Sequence, residues 1–288
     1  MTGFALALVL ASAVAHATWN LFAKRARGGA PFLWLAFTLS IPLYAPIAIA
    51  VLVITGAQIG AIGLLWMFVN AALNVAYGIF LLRGYRAGDL SVVYPLARGT
   101  GPVLALVGAV LLFGERPTPL AIAGALAIVA GVFALTGDPR KLRQRGVGVA
   151  VAYALLTGVT IAAYTLWDKR AVSVLLIPPI VYEWGANVFR AIILTPQALS
   201  RWAEVKAEWA SRTNRTAALA VASLSPLAYM LVLTALAISP VSYVAPAREI
   251  GILFGVLMGA RSLAEADIGR RSIAAVLMVG GVIALALG

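Results

Sequence analysis

Hydrophobic positions in this chain run in blocks of about twenty, the length of apolar helix that a hydrocarbon layer about 30 Å thick requires. Ten blocks reach that length: 3–22, 31–54, 62–82, 90–113, 119–136, 147–167, 175–196, 215–238, 241–260 and 270–287. No stretch shows the strict alternation of a barrel strand, so the pattern predicts helices throughout. The longest connection, 197–214, contains the polar run Arg201-Trp202-Ala203-Glu204-Val205-Lys206-Ala207-Glu208-Trp209. Its spacing predicts a helix lying at the interface, with Trp202 and Trp209 on one face. The first block has two readings. Ala15-His16-Ala17 resembles a signal-cleavage site, but residues 1–15 carry no basic segment. The polar trio His16, Asn20 and Lys24 suits a retained helix that faces a cavity.

Composition sharpens this reading. Hydrophobic residues make up 62% of the 288, charged residues only 11%, and the mean hydropathy is +0.99. A water-soluble enzyme, a disordered tail or a nucleic-acid-binding domain is excluded, because so much apolar surface cannot be hidden from water. The net charge of +12 therefore points to membrane orientation and not to nucleic acid. Basic residues crowd the odd-numbered connections: Lys24, Arg25 and Arg27; Arg83 and Arg86; Arg140, Lys141, Arg143 and Arg145; Arg201, Lys206, Arg212 and Arg215; Arg261, Arg270 and Arg271. The even-numbered ones hold only Arg116, Lys169 and Arg170. The positive-inside rule then predicts a multi-pass inner-membrane protein with both termini outside. There is no cysteine and one histidine, so disulfides, thiolate sites and multi-histidine metal sites are excluded, and no cofactor is expected.

The two halves repeat. At a shift of 150 residues Arg98 meets Arg248, Gly101 meets Gly251, Glu115 meets Glu265, and Gly131-Val132 meets Gly281-Val282. At a shift of 145, Lys24-Arg25 meets Lys169-Arg170, and Trp19 meets Tyr164. Two units follow, 1–140 and 146–288, each with five spans. An odd number inverts the second unit, and inverted repeats are a common build of secondary transporters, with the substrate held at the interface near the midplane. The expected class is an all-α integral membrane protein of ten transmembrane helices in two inverted five-helix repeats, sufficient as a monomer.

The residues Ala97-Arg98-Gly99-Thr100-Gly101-Pro102, then Phe113-Gly114-Glu115-Arg116, then Gly124 and Gly131 resemble the drug/metabolite transporter superfamily, of the ten-helix type with two EamA domains. In that pattern a proline-containing fourth helix ends in a Gly-Glu pair before a glycine-bearing fifth helix. The second half departs from it, with Ala264-Glu265 where the pair would stand. The resemblance implies export of amino acids or other metabolites, with the YddG-type aromatic amino-acid exporters nearest. It also implies that the fifth and tenth helices pack together, away from the substrate path, which gives Gly131 and Gly280 a structural role.

Charges inside the spans carry the candidate chemistry, since each costs about 2.5–3.5 kcal/mol at a span centre. Arg98, Glu183, Arg190, Arg248 and Glu249 must therefore face the interior. Arg98 shares a face with Tyr94 and Gly101 between Pro95 and Pro102. It can receive a substrate carboxylate on its planar fork, or form a structural ion pair, with Glu183 as a candidate partner. Glu183, Asn187 and Arg190 lie on one face. Seven residues is long for a direct bond, so Asn187 is expected to bridge; the alternative role for Glu183, and for His16, is proton coupling. His16, Trp19 and Asn20, then Asn70, Asn74 and Tyr77, then Tyr164, Tyr229 and Arg248 complete the expected lining of a small-molecule site, or else bond helix to helix. Trp66, Trp167 and Trp184 are also readable as belt residues at the headgroups.

Other functions fit less well. A carrier or flippase for a phosphorylated or lipid-linked sugar would need Lys169-Arg170 to face the central cavity. An intramembrane enzyme lacks its motifs: His16 has no serine partner, and Asp89, Asp138, Asp168 and Asp267 are scattered in loops or at span ends. No phosphate-cradling loop or ion filter appears.

Overall fold

The computed structural model describes residues 1–26, 29–136, 147–259 and 268–288. Among these residues there are helices and no strand: α1 (Gly3–Ala26), α2 (Ala30–Thr55), α3 (Ala61–Ala87), α4 (Leu90–Phe113), α5 (Pro119–Thr136), α6 (Gly148–Ser173), α7 (Pro179–Ser200), α8 (Trp202–Ala210), α9 (Arg212–Ile238), α10 (Val241–Ala247), α11 (Ile250–Gly259) and α12 (Ile268–Leu287). Six of them, α1 to α4, α6 and α9, are long and apolar enough to cross a membrane, and α5 and α12 contain shorter apolar stretches.

The helix bounds follow the hydrophobic blocks, with two instructive differences. First, α1, α3 and α6 run past their apolar blocks into basic residues. Hydropathy marks where lipid ends, not where a helix ends, and a cation near a helix C-terminus is electrostatically favourable. Second, the block 241–260 is not one helix. Pro246 has no N–H with which to continue the ladder. After it, Glu249 N–H donates to Pro246 O at 3.0 Å and Gly251 N–H to Arg248 O at 3.1 Å, so the turn tightens at Arg248-Glu249 and separates α10 from α11. By contrast α4 stays continuous through Pro95 and Pro102.

α1 packs against α9 and α11, and α6 against α3 and α4. α2 lies on α7, α5 on α12, and α10 leans on α4. One large core joins the first half of α1, the start of α3, the ends of α4, α6 and α9, and α10 to α12. Two smaller cores occupy the opposite end. One gathers Ala26, Phe32, Leu35 and Val221 from the end of α1 and the starts of α2 and α9. The other gathers Val93, Ala97, Ala150 and Ala154 from the starts of α4 and α6, with Leu81 and Tyr85 of α3 against them. The core is therefore continuous at one end of the molecule and divided at the other. α8 packs on α2 and α9, with Trp202 edge-on to Trp34 at 6.1 Å and the Arg215 guanidinium 5.8 Å from the Trp209 ring.

The α5–α12 crossing is the closest in the molecule to backbone-on-backbone. A Cβ on Gly124 would lie 2.7 Å from Gly281 O, and one on Gly281 would lie 2.6 Å from Gly124 O. One on Gly131 would lie 2.5 Å from Met278 Cγ. Such stripes let helices approach where lipid offers no hydrophobic drive. Gly131 thus has the expected packing role. The other belongs to Gly281 and not to Gly280, where an added Cβ meets nothing within 4 Å. Gly281→Val is expected to lower stability by about 1–3 kcal/mol, read as an earlier thermal unfolding transition in detergent, while Gly280→Ala leaves the transition in place.

Candidate functional site

Two polar clusters lie inside the bundle. The first surrounds Arg98, on the buried stretch of α4. Its Nε sits 2.9 Å from Glu249 Oε2 at the α10–α11 break. The expected partner Glu183 is not the one chosen. Glu249 reaches Arg98 because the break swings it toward α4, which already touches α10. The pair is close but misaligned: neither atom completes a hydrogen bond. The Nη nitrogens of Arg98 find no acceptor among the described residues, so its fork is open. Arg248, next to Glu249, points another way, with its guanidinium 5.5 Å from the Tyr229 ring.

Aromatic rings complete this cluster. Tyr164 of α6 meets Tyr77 of α3 edge-on at 6.2 Å and Tyr229 of α9 edge-on at 6.2 Å. Tyr77, Tyr94 and Tyr229 are half-buried on helices that pack around them, so they line an interior space. His16 lies within electrostatic reach of Arg98 and Arg248, and its ring meets Trp19 edge-on at 5.0 Å. Asn20 is exposed, and its amide donates to His16 O at 2.7 Å within its own helix. Trp19 leans on the small core at the end of α1. Charge, fork and rings on one space can hold a small molecule with a carboxylate and an apolar side chain.

The second cluster is mostly buried, and its buried polar atoms are matched internally except for Arg190 Nε. Arg190 donates from Nη1 to Glu183 Oε1 and to Asn187 Oδ1, both at 2.7 Å, and from Nη2 to Asn70 Oδ1 at 2.7 Å. The direct Glu183–Arg190 contact corrects the expectation that only Asn187 would bridge them. Both side chains are long and reach toward each other along α7. Asn70 passes the network to Asp168 Oδ1 at 2.7 Å, where Tyr182 also donates at 2.7 Å, and Tyr229 donates to Oδ2. Asn74 donates to Asn70 O at 3.0 Å. Asn70 is thus spent on helix packing, Asn74 bonds back within α3, and Glu183 has both oxygens on Arg190. Tyr229 belongs to both clusters.

Asp168 and Tyr182 are the residues the sequence reading missed. In the sequence Asp168 reads as one of the aspartates scattered in loops or at span ends. The available signal was its spacing of four from Tyr164, which puts both on one face. The tryptophans are not simply a belt. Trp66 and Trp167 stack at 3.7 Å, Trp167 Nε1 donates to Trp66 O, and Trp184 Nε1 donates to Ile41 O, each at 3.0 Å. Lys169 donates to Leu236 O at 2.7 Å and Ser239 O at 3.1 Å, while Arg170 is exposed. Of the pair that a phosphate carrier would need, Lys169 is therefore committed to α9 and Arg170 is exposed. The Gly-Glu pair after α4 also has a physical role. Gly114 takes φ +66° to end the helix, and Glu115 accepts Val241 N–H at 2.8 Å and Ser242 N–H at 2.9 Å, capping α10. Arg27, Arg140, Lys141, Arg143, Arg145, Arg261, Ala264 and Glu265 lie outside the described residues.

The long apolar helices and their buried charges define a multi-pass membrane protein. Residues 3–137 match the model of the EamA-like transporter family. A crystal structure of a protein with 19% sequence identity superposes with a TM-score of 0.76, covering 98% of this chain and 98% of that one, and shares the fold. A search of curated proteins found no match.

Removing one partner from the buried network leaves a lone charge. Arg190→Met is expected to cost about 3–5 kcal/mol of stability, seen as loss of the monodisperse species on mild heating. The double variant Glu183→Gln/Arg190→Met is expected to recover most of that loss.

Proposed function

We propose that this protein is a secondary transporter of small organic solutes that exports amino acids, aromatic ones included, across the inner membrane by alternating access. The observation that carries this reading is the Arg98–Glu249 pair at 2.9 Å, with the arginine fork open among Tyr77, Tyr94, Tyr164 and Tyr229. A zwitterion matches it: its carboxylate takes the fork of Arg98, its ammonium takes Glu249, and its side chain rests on the rings. Arg248, against the Tyr229 ring, adds positive charge to the same region.

The reading takes ten spans in two inverted repeats, 1–140 and 146–288, with α10 and α11 as halves of the ninth span, odd-numbered connections in the cytoplasm and both termini outside. Helix packing supports the inversion. Exchange α1 with α6, α2 with α7, α3 with α9, α4 with α10–α11, and α5 with α12. The α1–α9 contact then becomes α6–α3, α1–α11 becomes α6–α4, and α3–α7 becomes α9–α2. The repeat-related glycines serve equivalent crossings: Gly101 faces Ile161 of α6, and Gly251 faces Ala13 of α1. One chain supplies both halves, so a monomer suffices. Glu183 is assigned to packing.

The test is efflux of labelled amino acids from proteoliposomes. Arg98→Ala is expected to lower the initial rate by about 10- to 100-fold, the worth of a charged hydrogen bond. Glu249→Gln is expected to erase the preference for zwitterions over N-acetylated analogues. If correctly folded protein moves no amino acid, the substrate assignment falls.

A further inference from the structure

The exchange of repeats is incomplete. α6 packs against α9, and α10 against α5 and α6, while among the described residues α1 with α3 and α4 with α12 or α1 show no comparable packing. α7 likewise packs on α9 without a comparable α2–α3 contact. The Trp66–Trp167 stack and the Glu115 cap on α10 lie at the end where the core is continuous. At the opposite end the cores of α1–α2–α9 and α3–α4–α6 stand apart.

Lys169 ties the closed end directly. Its ammonium bonds Leu236 O and Ser239 O, at the C-terminal end of α9. The last carbonyls of a helix have no partner within it, and its dipole favours a cation there. The 145-residue shift makes Lys24 the counterpart of Lys169. Lys24 is exposed and has no hydrogen-bond partner among the described residues. The 152-residue shift that relates Tyr77 to Tyr229 makes Gly84 and Ala87, at the end of α3, the counterparts of Leu236 and Ser239. Gly84 O accepts Gly88 N–H at 3.0 Å, and a carbonyl has a second lone pair to offer. One lysine is engaged, its counterpart is idle, and the carbonyls that would receive the idle one are at the open end.

We propose that Lys169 and Lys24 are reciprocal latches. Lys169 holds α6 to α9 in the conformation described, and Lys24 binds the end of α3 when the molecule opens at the other end. This rests on the inverted-repeat part of the functional reading, not on the substrate. Each latch stabilises the state in which its own end is shut, so removing them shifts the equilibrium in opposite directions.

The chain has no cysteine, so a single introduced thiol is a clean reporter. Ser239 is buried beside the Lys169 contact, and Ser239→Cys reports opening of that end to a membrane-impermeant maleimide in proteoliposomes. Adding Lys169→Met, which keeps the aliphatic stem, is expected to raise the labelling rate about tenfold, the worth of a charged hydrogen bond. Adding Lys169→Arg leaves the rate low. Adding Lys24→Met lowers it below that of Ser239→Cys alone. The proposal is overturned if Lys169→Met leaves labelling unchanged, or if both lysine replacements move it in the same direction. Labelling that responds as expected in a protein that moves no amino acid would retain the latches and remove only the substrate assignment.

Discussion

Lipid provides no partner for a charge, so every ionised group inside this bundle must be answered by protein. Arg190 is the centre of the largest such answer. Its guanidinium holds Glu183 and Asn187 of its own helix and Asn70 of α3, and through Asn70 it reaches Asp168 of α6. Tyr229 brings α9 into the same network. Four helices are thereby fixed at one depth. The network sets the relative rotation of α3, α6, α7 and α9, and with it the directions in which Tyr77, Tyr164 and Tyr229 point.

The two clusters differ in completeness, and in the proposed function that difference separates scaffold from site. In the Arg190 network the buried polar atoms are matched at hydrogen-bond distance except for Arg190 Nε. Around Arg98 the matching is partial: the ion pair is misaligned and the fork is open. Burying charges in this state is costly, and the half-satisfied pair is the place where a solute with complementary charges gains most. Tyr229 joins the two, bonded to Asp168 on one side and lying under Arg248 on the other.

Much of the fold was legible because hydrocarbon thickness imposes a length that composition reveals. α4 begins and ends where its apolar block does, and α8 lies in the polar connection that predicted it. What was not legible depended on direction or partner. The choice of Glu249 over Glu183 by Arg98 depends on a helix break, and Pro246 alone did not announce one, since Pro95 and Pro102 leave α4 intact. Asp168 was hidden by the charges beside it, which read as an interface although only Arg170 faces outward. Asn70 and Asn74 were correctly placed on one face with Tyr77, but a face does not say whether its amides meet a solute or a neighbouring helix.

The glycine crossing of α5 and α12 bears on how such a bundle moves. Gly124 and Gly281 bring backbone against backbone, with no side chain between them to change rotamer and give way. A contact of this kind resists sliding but tolerates a small swivel. In the proposed alternating access it serves as an axle: the helices on either side turn about it as levers, and a tilt too small to disturb the glycines becomes a wide displacement at the rims. Filling that contact would therefore alter the path of the motion as well as the stability of the resting fold.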